Sequence, residues 1–171
     1  MAAIHEILYQ HNGVARIDIV EYTQRLCRHL ANLSPDGSYP QFDLQIEPVF
    51  FNLETSIPLG IMLTELLTNS LKYARLPEKD LHISIQLQAF EDHYRIIYRD
   101  NGPGLPEGGI RQREGGLGTY LLRSMTRQLR GKLSSRTEEG AVFEIHFYEK
   151  NVLTNIEINP EEIRQRASTE Q

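Results

Sequence analysis

The stretch LHISIQLQAFEDHYRIIYRD, from Leu81 to Asp100, alternates apolar and polar residues, turns at Glu91-Asp92, and alternates back. A period of two marks a half-buried strand, and an immediate return marks a hairpin. KLSSRT and AVFEIHFYE repeat the arrangement around Glu139-Gly140. FDLQIE alternates Phe42, Leu44 and Ile46, with VFFN as a short partner strand. Between these runs lie three helical patterns. DIVEYTQRLCRHLANL spaces Ile19, Thr23, Leu26, Leu30 and Leu33 helically behind a capping Asp18. TSIPLGIMLTELLTNSLKYA predicts a helix over 55–74 with Pro58 near its first turn, and GTYLLRSMTRQLR predicts another that Gly131 stops. Strands thus follow one another instead of alternating with helices. The order predicts an α+β fold, a two-layer α/β sandwich whose mixed, mostly antiparallel sheet carries helices on one face.

A chain of 171 residues is one domain with room for a short appendage, and it needs no covalent staples. Its formal net charge of −5, without a Lys/Arg run, argues against nucleic acid as a partner. The single cysteine, Cys27, forms no internal disulfide and no zinc cluster. No apolar run reaches a membrane span and no signal peptide opens the chain, so the expected location is cytoplasmic. The start, MAAIHE, enters an apolar pattern at once, as a piece of a longer protein would.

Three polar features interrupt this framework. On the 55–74 helix, Glu65, Asn69 and Lys72 stand at i, i+4 and i+7, within about 60° of one another. Among apolar Ile57, Ile61, Leu63, Leu66, Leu67 and Leu71, that stripe supplies a base, a neutral oxygen ligand suited to Mg²⁺ and a phosphate-neutralising charge. A solvated helix edge is the plainer alternative. DNGPGLP follows the second strand, where Asp100 either starts a turn or binds something. Gly115, Gly116 and Gly118 open the third helix, as an anion-binding mouth or as a flexible loop. Neither the P-loop nor the dinucleotide-binding glycine pattern is present.

Taken in order, TELLTNSLKYA, DNGPGLP and GGLGTYLL resemble the N box and two glycine boxes of the ATPase superfamily shared by gyrase B, Hsp90, MutL and the sensor histidine kinases. The resemblance covers about 42–147, with GAVFEIHF similar to the family's final strand. It implies ATP and Mg²⁺ as cofactors. Asp100 would accept from the adenine amino group, and Gly102 and Gly104 would let the backbone pass close to the base. Asn69 would ligate Mg²⁺, Lys72 would sit near the phosphates, and Glu65 would orient water or assist proton transfer. Gly116 and Gly118 would cradle phosphates and Tyr73 would line the nucleotide. Leu105, Leu117 and Thr119 complete the implied set.

Two departures stand out. Ala141 occupies a position where many members carry a Thr that supports the Asp–adenine contact, so Thr119 or water replaces it, or affinity is lower. The segment between Gly104 and Gly115 is short and carries Arg111 and Arg113, which either reach the γ-phosphate or stay solvated. The stretch IHEILYQHNGVARIDIVEYTQRLCRHL, from Ile4 to Leu30, looks like the end of the dimerisation region in second-type histidine kinases. His5-Glu6 only superficially mimics a phosphoacceptor. The expected domains are a helical remnant over 1–38, an ATP-binding catalytic domain over 39–150 and a polar tail over 151–171.

The resemblance implies a protein-histidine kinase that transfers the γ-phosphoryl of ATP to a histidine on a helix outside this sequence. Its partners would be that phosphoacceptor domain and a response-regulator receiver domain, and the full-length protein would dimerise. Two rivals stay open: an anti-sigma-factor-type serine kinase and a non-catalytic, ATP-gated interaction module.

Overall fold

The computed structural model describes residues 8–11, 14–33, 37, 39–77, 79–105 and 117–150. The chain opens with strands β1 (Leu8–His11) and β2 (Val14–Asp18), then helix α1 (Ile19–Ala31). Strands β3 (Gln41–Ile46) and β4 (Phe50–Asn52) lead into the long helix α2 (Leu53–Tyr73). Strands β5 (His82–Ala89) and β6 (Tyr94–Asp100) precede helix α3 (Leu117–Gln128) and the closing hairpin of β7 (Lys132–Thr137) and β8 (Ala141–Phe147).

Alternation becomes register. β5 pairs antiparallel with β6, which sets Leu87 opposite Ile96, Ile85 opposite Tyr98 and Ile83 opposite Asp100. β8 pairs antiparallel with both β6 and β7, and β3 adds the one parallel neighbour. The sheet order is β3-β5-β6-β8-β7, mixed and mostly antiparallel as the strand pattern predicts. Its inner face buries Ile83, Ile85, Leu87, Ile96, Tyr98 and Ile145 against α2 residues such as Leu63, Leu66 and Leu67. Each buried aliphatic side chain contributes about 1.5–3 kcal/mol, so this layer is the fold's main source of stability.

α2 is positioned at both ends of its first turn. The Asn52 carboxamide accepts the Thr55 N–H at 2.9 Å and donates to the Lys150 carbonyl at 2.5 Å. Because Asn52 is the cap, the helix starts two residues before Thr55, and Pro58 lies inside it, where one intrahelical bond is forgone. α1 begins on Asp18, whose carboxylate accepts the Val20 and Glu21 N–H groups at 2.9 and 3.2 Å.

Several expectations need correction. VFFN does not pair with β3: β4 joins β2 in a separate sheet of order β1-β2-β4. Phe51 of that strand wedges against Tyr94 and Phe147, with ring centroids 4.6 and 5.7 Å away, and so welds the small sheet to the large one. Strands, not a helix, occupy the described part of the chain before Asp18. On α1 the buried stripe is Ile19, Thr23, Cys27 and Ala31, one turn apart, while Leu33 is 64% exposed beyond the helix end. Ile57 also faces outward on α2. α3 stops one step earlier than Gly131 suggests. Arg130 takes the left-handed conformation at φ 53°, and the Gly131 and Arg130 N–H groups close onto the Thr126 and Arg127 carbonyls. The polar tail lies outside the described residues.

Candidate functional site

β6 delivers the central side chain by parity. Ile96, Tyr98 and Asp100 all point to the helix-covered face, so the strand ends by placing a carboxylate where the preceding residues place core. Asp100 Oδ1 accepts the Gly102 and Ala141 N–H groups, each at 3.1 Å. Its Oδ2 accepts the Ser70 hydroxyl at 2.6 Å. Ser70 Oγ lies 2.8 Å from the Tyr98 phenol, which also donates toward the Leu66 carbonyl at 3.2 Å. Burial pushes the Tyr98 phenol well above its ordinary pKa, with the Asp100 charge adding to the shift, so it remains a neutral donor. A carboxylate offers about four acceptor positions, and among the described residues donors fill three of them. The turn reading of Asp100 is visible in Oδ1, which holds the Gly102 and Ala141 N–H groups.

The neighbouring turn is held by other side chains. Asn101 Oδ1 accepts the His82 N–H and its Nδ2 donates to the Asp80 carbonyl, both at 2.9 Å. Gly102 presses on the end of α2: a Cβ there would fall 2.5 Å from Ala74 Cα. Gly104 has φ +83°, and the Leu105 N–H donates to Thr137 Oγ1 at 3.0 Å.

These elements enclose a cavity of about 560 Å³, within the usual range for a small-molecule site. α2 contributes Glu65, Asn69, Lys72 and Tyr73 to its lining. The β6 end and its turn contribute Asp100, Gly104 and Leu105, and the start of α3 contributes Gly118 and Thr119. Glu65 and Asn69 are half-buried, whereas Lys72 and Tyr73 are exposed at the rim. Gly118 is what brings the α3 start onto the polar stripe, since a Cβ there would lie 2.7 Å from Glu65 Oε2. The first-turn N–H groups of a helix have no intrahelical partner, which makes a helix start a favourable place for an anion.

Not every implied residue lines the cavity. Gly102 supports its floor from behind, and Leu117 is 73% exposed outside the lining. Gly116, Arg111, Arg113 and His5 lie outside the described residues. His29, His82, His93 and His146 are all absent from the lining. Among the described residues, no cluster of three His, Cys, Asp or Glu could hold a metal ion by itself. The donor set fits a hard cation shared with a ligand: a carboxylate and an amide on one helix edge.

Three residues escaped the sequence reading. Leu122 and Phe143 give apolar walls that suit a planar ring. Ser70 supplies the hydroxyl on Asp100 that Ala141 cannot, so this partner comes from α2 rather than from β8. Ser70 lies on the face of α2 that also buries Leu63, Leu66 and Leu67.

A sandwich whose one cavity end is a buried acceptor between apolar walls, and whose other end is a polar stripe under a helix start, defines a nucleotide-binding domain. Comparison with known proteins agrees. Residues 54–151 match the family described as histidine kinase-, DNA gyrase B-, and HSP90-like ATPase, and residues 1–34 match a second family described as histidine kinase. The blue-light-activated histidine kinase 2 of Erythrobacter litoralis (strain HTCC2594) is 23% identical over 75% of this chain and 40% of that protein. The chain thus spans well under half the length of this curated relative. The histidine kinase domain of the Erythrobacter litoralis EL346 blue-light activated kinase superposes at a TM-score of 0.72, with 21% identity over 84% of this chain and 67% of that one. The catalytic domain of histidine kinase ThkA gives 0.65, with 16% identity over 80% of this chain and 95% of that one. This chain belongs to the histidine kinase-, DNA gyrase B- and HSP90-like ATPase family. Among the described residues, no helix is long and apolar enough to cross a membrane.

Proposed function

We propose that this chain presents ATP for phosphoryl transfer to a histidine carried on the dimerisation helices of its parent protein. The observation that carries the reading is Asp100, buried at 9% exposure, with three donors supplied by the chain and one acceptor position remaining at the cavity. That position accepts the adenine amino group, while Leu66, Leu122 and Phe143 flank the ring. The polyphosphate runs toward the start of α3, where Gly118 allows close approach and Thr119 and Leu105 border the path. Asn69 would hold Mg²⁺, which would supply charge neutralisation for the transferred group. Lys72, at the rim, adds a second positive charge.

The imidazole nitrogen attacks the γ-phosphorus as the bond to the β-phosphate oxygen breaks, and ADP leaves. Such transfer passes through a loose transition state, so the chain's contribution is positioning and electrostatics. Neutral imidazole is already nucleophilic. Glu65 therefore needs only to orient it and accept its ring proton. The phosphohistidine then serves a receiver domain of a response regulator, and the parent protein works as a dimer.

Calorimetric titration with ATP and magnesium tests the reading. Asp100→Ala removes a charge-assisted hydrogen bond of about 1.5–3 kcal/mol, so affinity should fall about 10- to 150-fold. A folded variant that binds ATP as tightly as the parent chain sinks the assignment. Transfer is tested separately, with the full-length protein and labelled ATP: label should appear on histidine, and label on a partner's serine instead would favour a serine kinase.

A further inference from the structure

Asp100 is the last member of a hydrogen-bonded chain whose direction is fixed at both ends. The Leu66 carbonyl and the Asp100 carboxylate can only accept, and between them stand two hydroxyls, Tyr98 and Ser70, with one proton each. The charged acceptor takes the Ser70 proton, at 2.6 Å, because a hydrogen bond to an ionised group is the stronger one. The Tyr98 proton then serves Ser70 or Leu66. No arrangement leaves Ser70 accepting from Asp100. Tyr98 is fully buried and Ser70 is 3% exposed.

We propose that Ser70, backed by Tyr98, is a positioning and specificity-determining residue that keeps Asp100 an acceptor at the cavity and so selects purines bearing a 6-amino group over those bearing a 6-oxo group. The inference rests on the adenine reading of the cavity and deepens it. With Oδ1 held by two backbone amides and Oδ2 by Ser70, the carboxylate cannot rotate, and its remaining acceptor position has a single direction. An amino group donates to that position. An oxo group meets it with like partial charge, which leaves two desolvated acceptors facing each other and is strongly rejected. Without the Ser70 hydroxyl, Oδ2 has two open positions and can recruit a water, whose own O–H could then donate to a 6-oxo group.

Titrating the chain with ATP and with inosine triphosphate, magnesium present in both, separates the possibilities. The parent chain should prefer ATP, and Ser70→Ala should lower ATP affinity by about tenfold while shrinking the ATP-to-inosine preference by a similar factor. Tyr98→Phe retains the buried ring and the Ser70 hydroxyl. It should shrink the preference by a smaller factor, and the double variant should lose less than the sum of both. A merely structural role for Ser70 would weaken both nucleotides equally. An unchanged preference in folded Ser70→Ala overturns the inference while leaving the ATP site intact, and if Ser70→Ala fails to fold, an unchanged preference in Tyr98→Phe does the same. A parent chain that does not distinguish the two nucleotides overturns the adenine reading itself.

Discussion

Gly140 shows how a residue far from any ligand can set a binding atom. It sits in the β7–β8 turn at φ +146°, and a Cβ there would fall 1.8 Å from the Asp100 carbonyl oxygen. Glycine is therefore required twice, by conformation and by contact. Gly140→Ala should lower the unfolding free energy by about 2 kcal/mol or more, measured by denaturant titration. It should also weaken ATP binding, because the same turn leads into Ala141, whose N–H holds Asp100 Oδ1. At this scale the sequence was informative where chemistry was unusual. Asp100 was visible as an acid ending an apolar alternation, and the stripe of Glu65, Asn69 and Lys72 was visible by spacing. Ser70 was not, because a serine beside an asparagine in a helix carries no sign of facing inward until the opposite strand supplies Tyr98 and Asp100. Leu117 lies outside the lining for the related reason that a motif names neighbours in sequence, while the cavity admits only those side chains the helix phase turns toward it.

Elements were legible in proportion to their length. Long alternating runs gave β5, β6 and β8 close to their observed bounds, and the caps Asp18 and Asn52 each lie beside the predicted helix starts. The three-residue β4 could not announce its partner, since so short a run fixes neither register nor sheet. The Asn12-Gly13 pair between Leu8–His11 and Val14–Asp18 is a strong hairpin signal that went unread beside the helical pattern that follows. The outer face of the large sheet carries an element-scale prediction. Glu144 of β8 lies 3.0 Å from His146 Nε2, 3.4 Å from Arg136 and 3.8 Å from Arg95. The His146 contact first, and then the arginines, hold its carboxyl below the usual value of 4.5. Arg136 and then Arg99 do the same for Glu138. A carboxyl depressed in the folded state stabilises the fold above its unfolded pKa, and this contribution is lost as pH falls through the folded pKa. Thermal midpoints should thus drop as pH falls below about 4.5, and Glu144→Gln should show a shallower drop over the same range. Equal slopes for parent and variant would remove Glu144 from the account. The pairs are partly exposed, so the contribution is small and shrinks further with salt.

For the molecule as a whole, the question is whether α1 and the nucleotide site open together or separately. α1 packs on α2, the helix that carries Glu65, Asn69 and Ser70, and it buries Cys27 at 1% exposure. Burial raises the Cys27 thiol to about 12. At about pH 8 the native thiol is then both inaccessible and almost wholly protonated, so a thiol reagent can modify it only after an opening event. ATP binds the closed form. If opening destroys the site, ATP at about 100 times its Kd stabilises the closed state by about 2.7 kcal/mol and should slow labelling about 100-fold. Were α1 to peel away by itself, labelling would proceed at one rate with or without nucleotide, because the open state would still bind ATP. The packing favours the coupled outcome: Tyr22, Leu26 and Leu30 of α1 lie against the same continuous core that contains Leu63, Leu66 and Tyr98. Exposing Cys27 uncovers one side of the helix on which the cavity is built. Labelling rates that fall in proportion to ATP concentration would establish that coupling, and a flat dependence would show that α1 opens as a unit of its own.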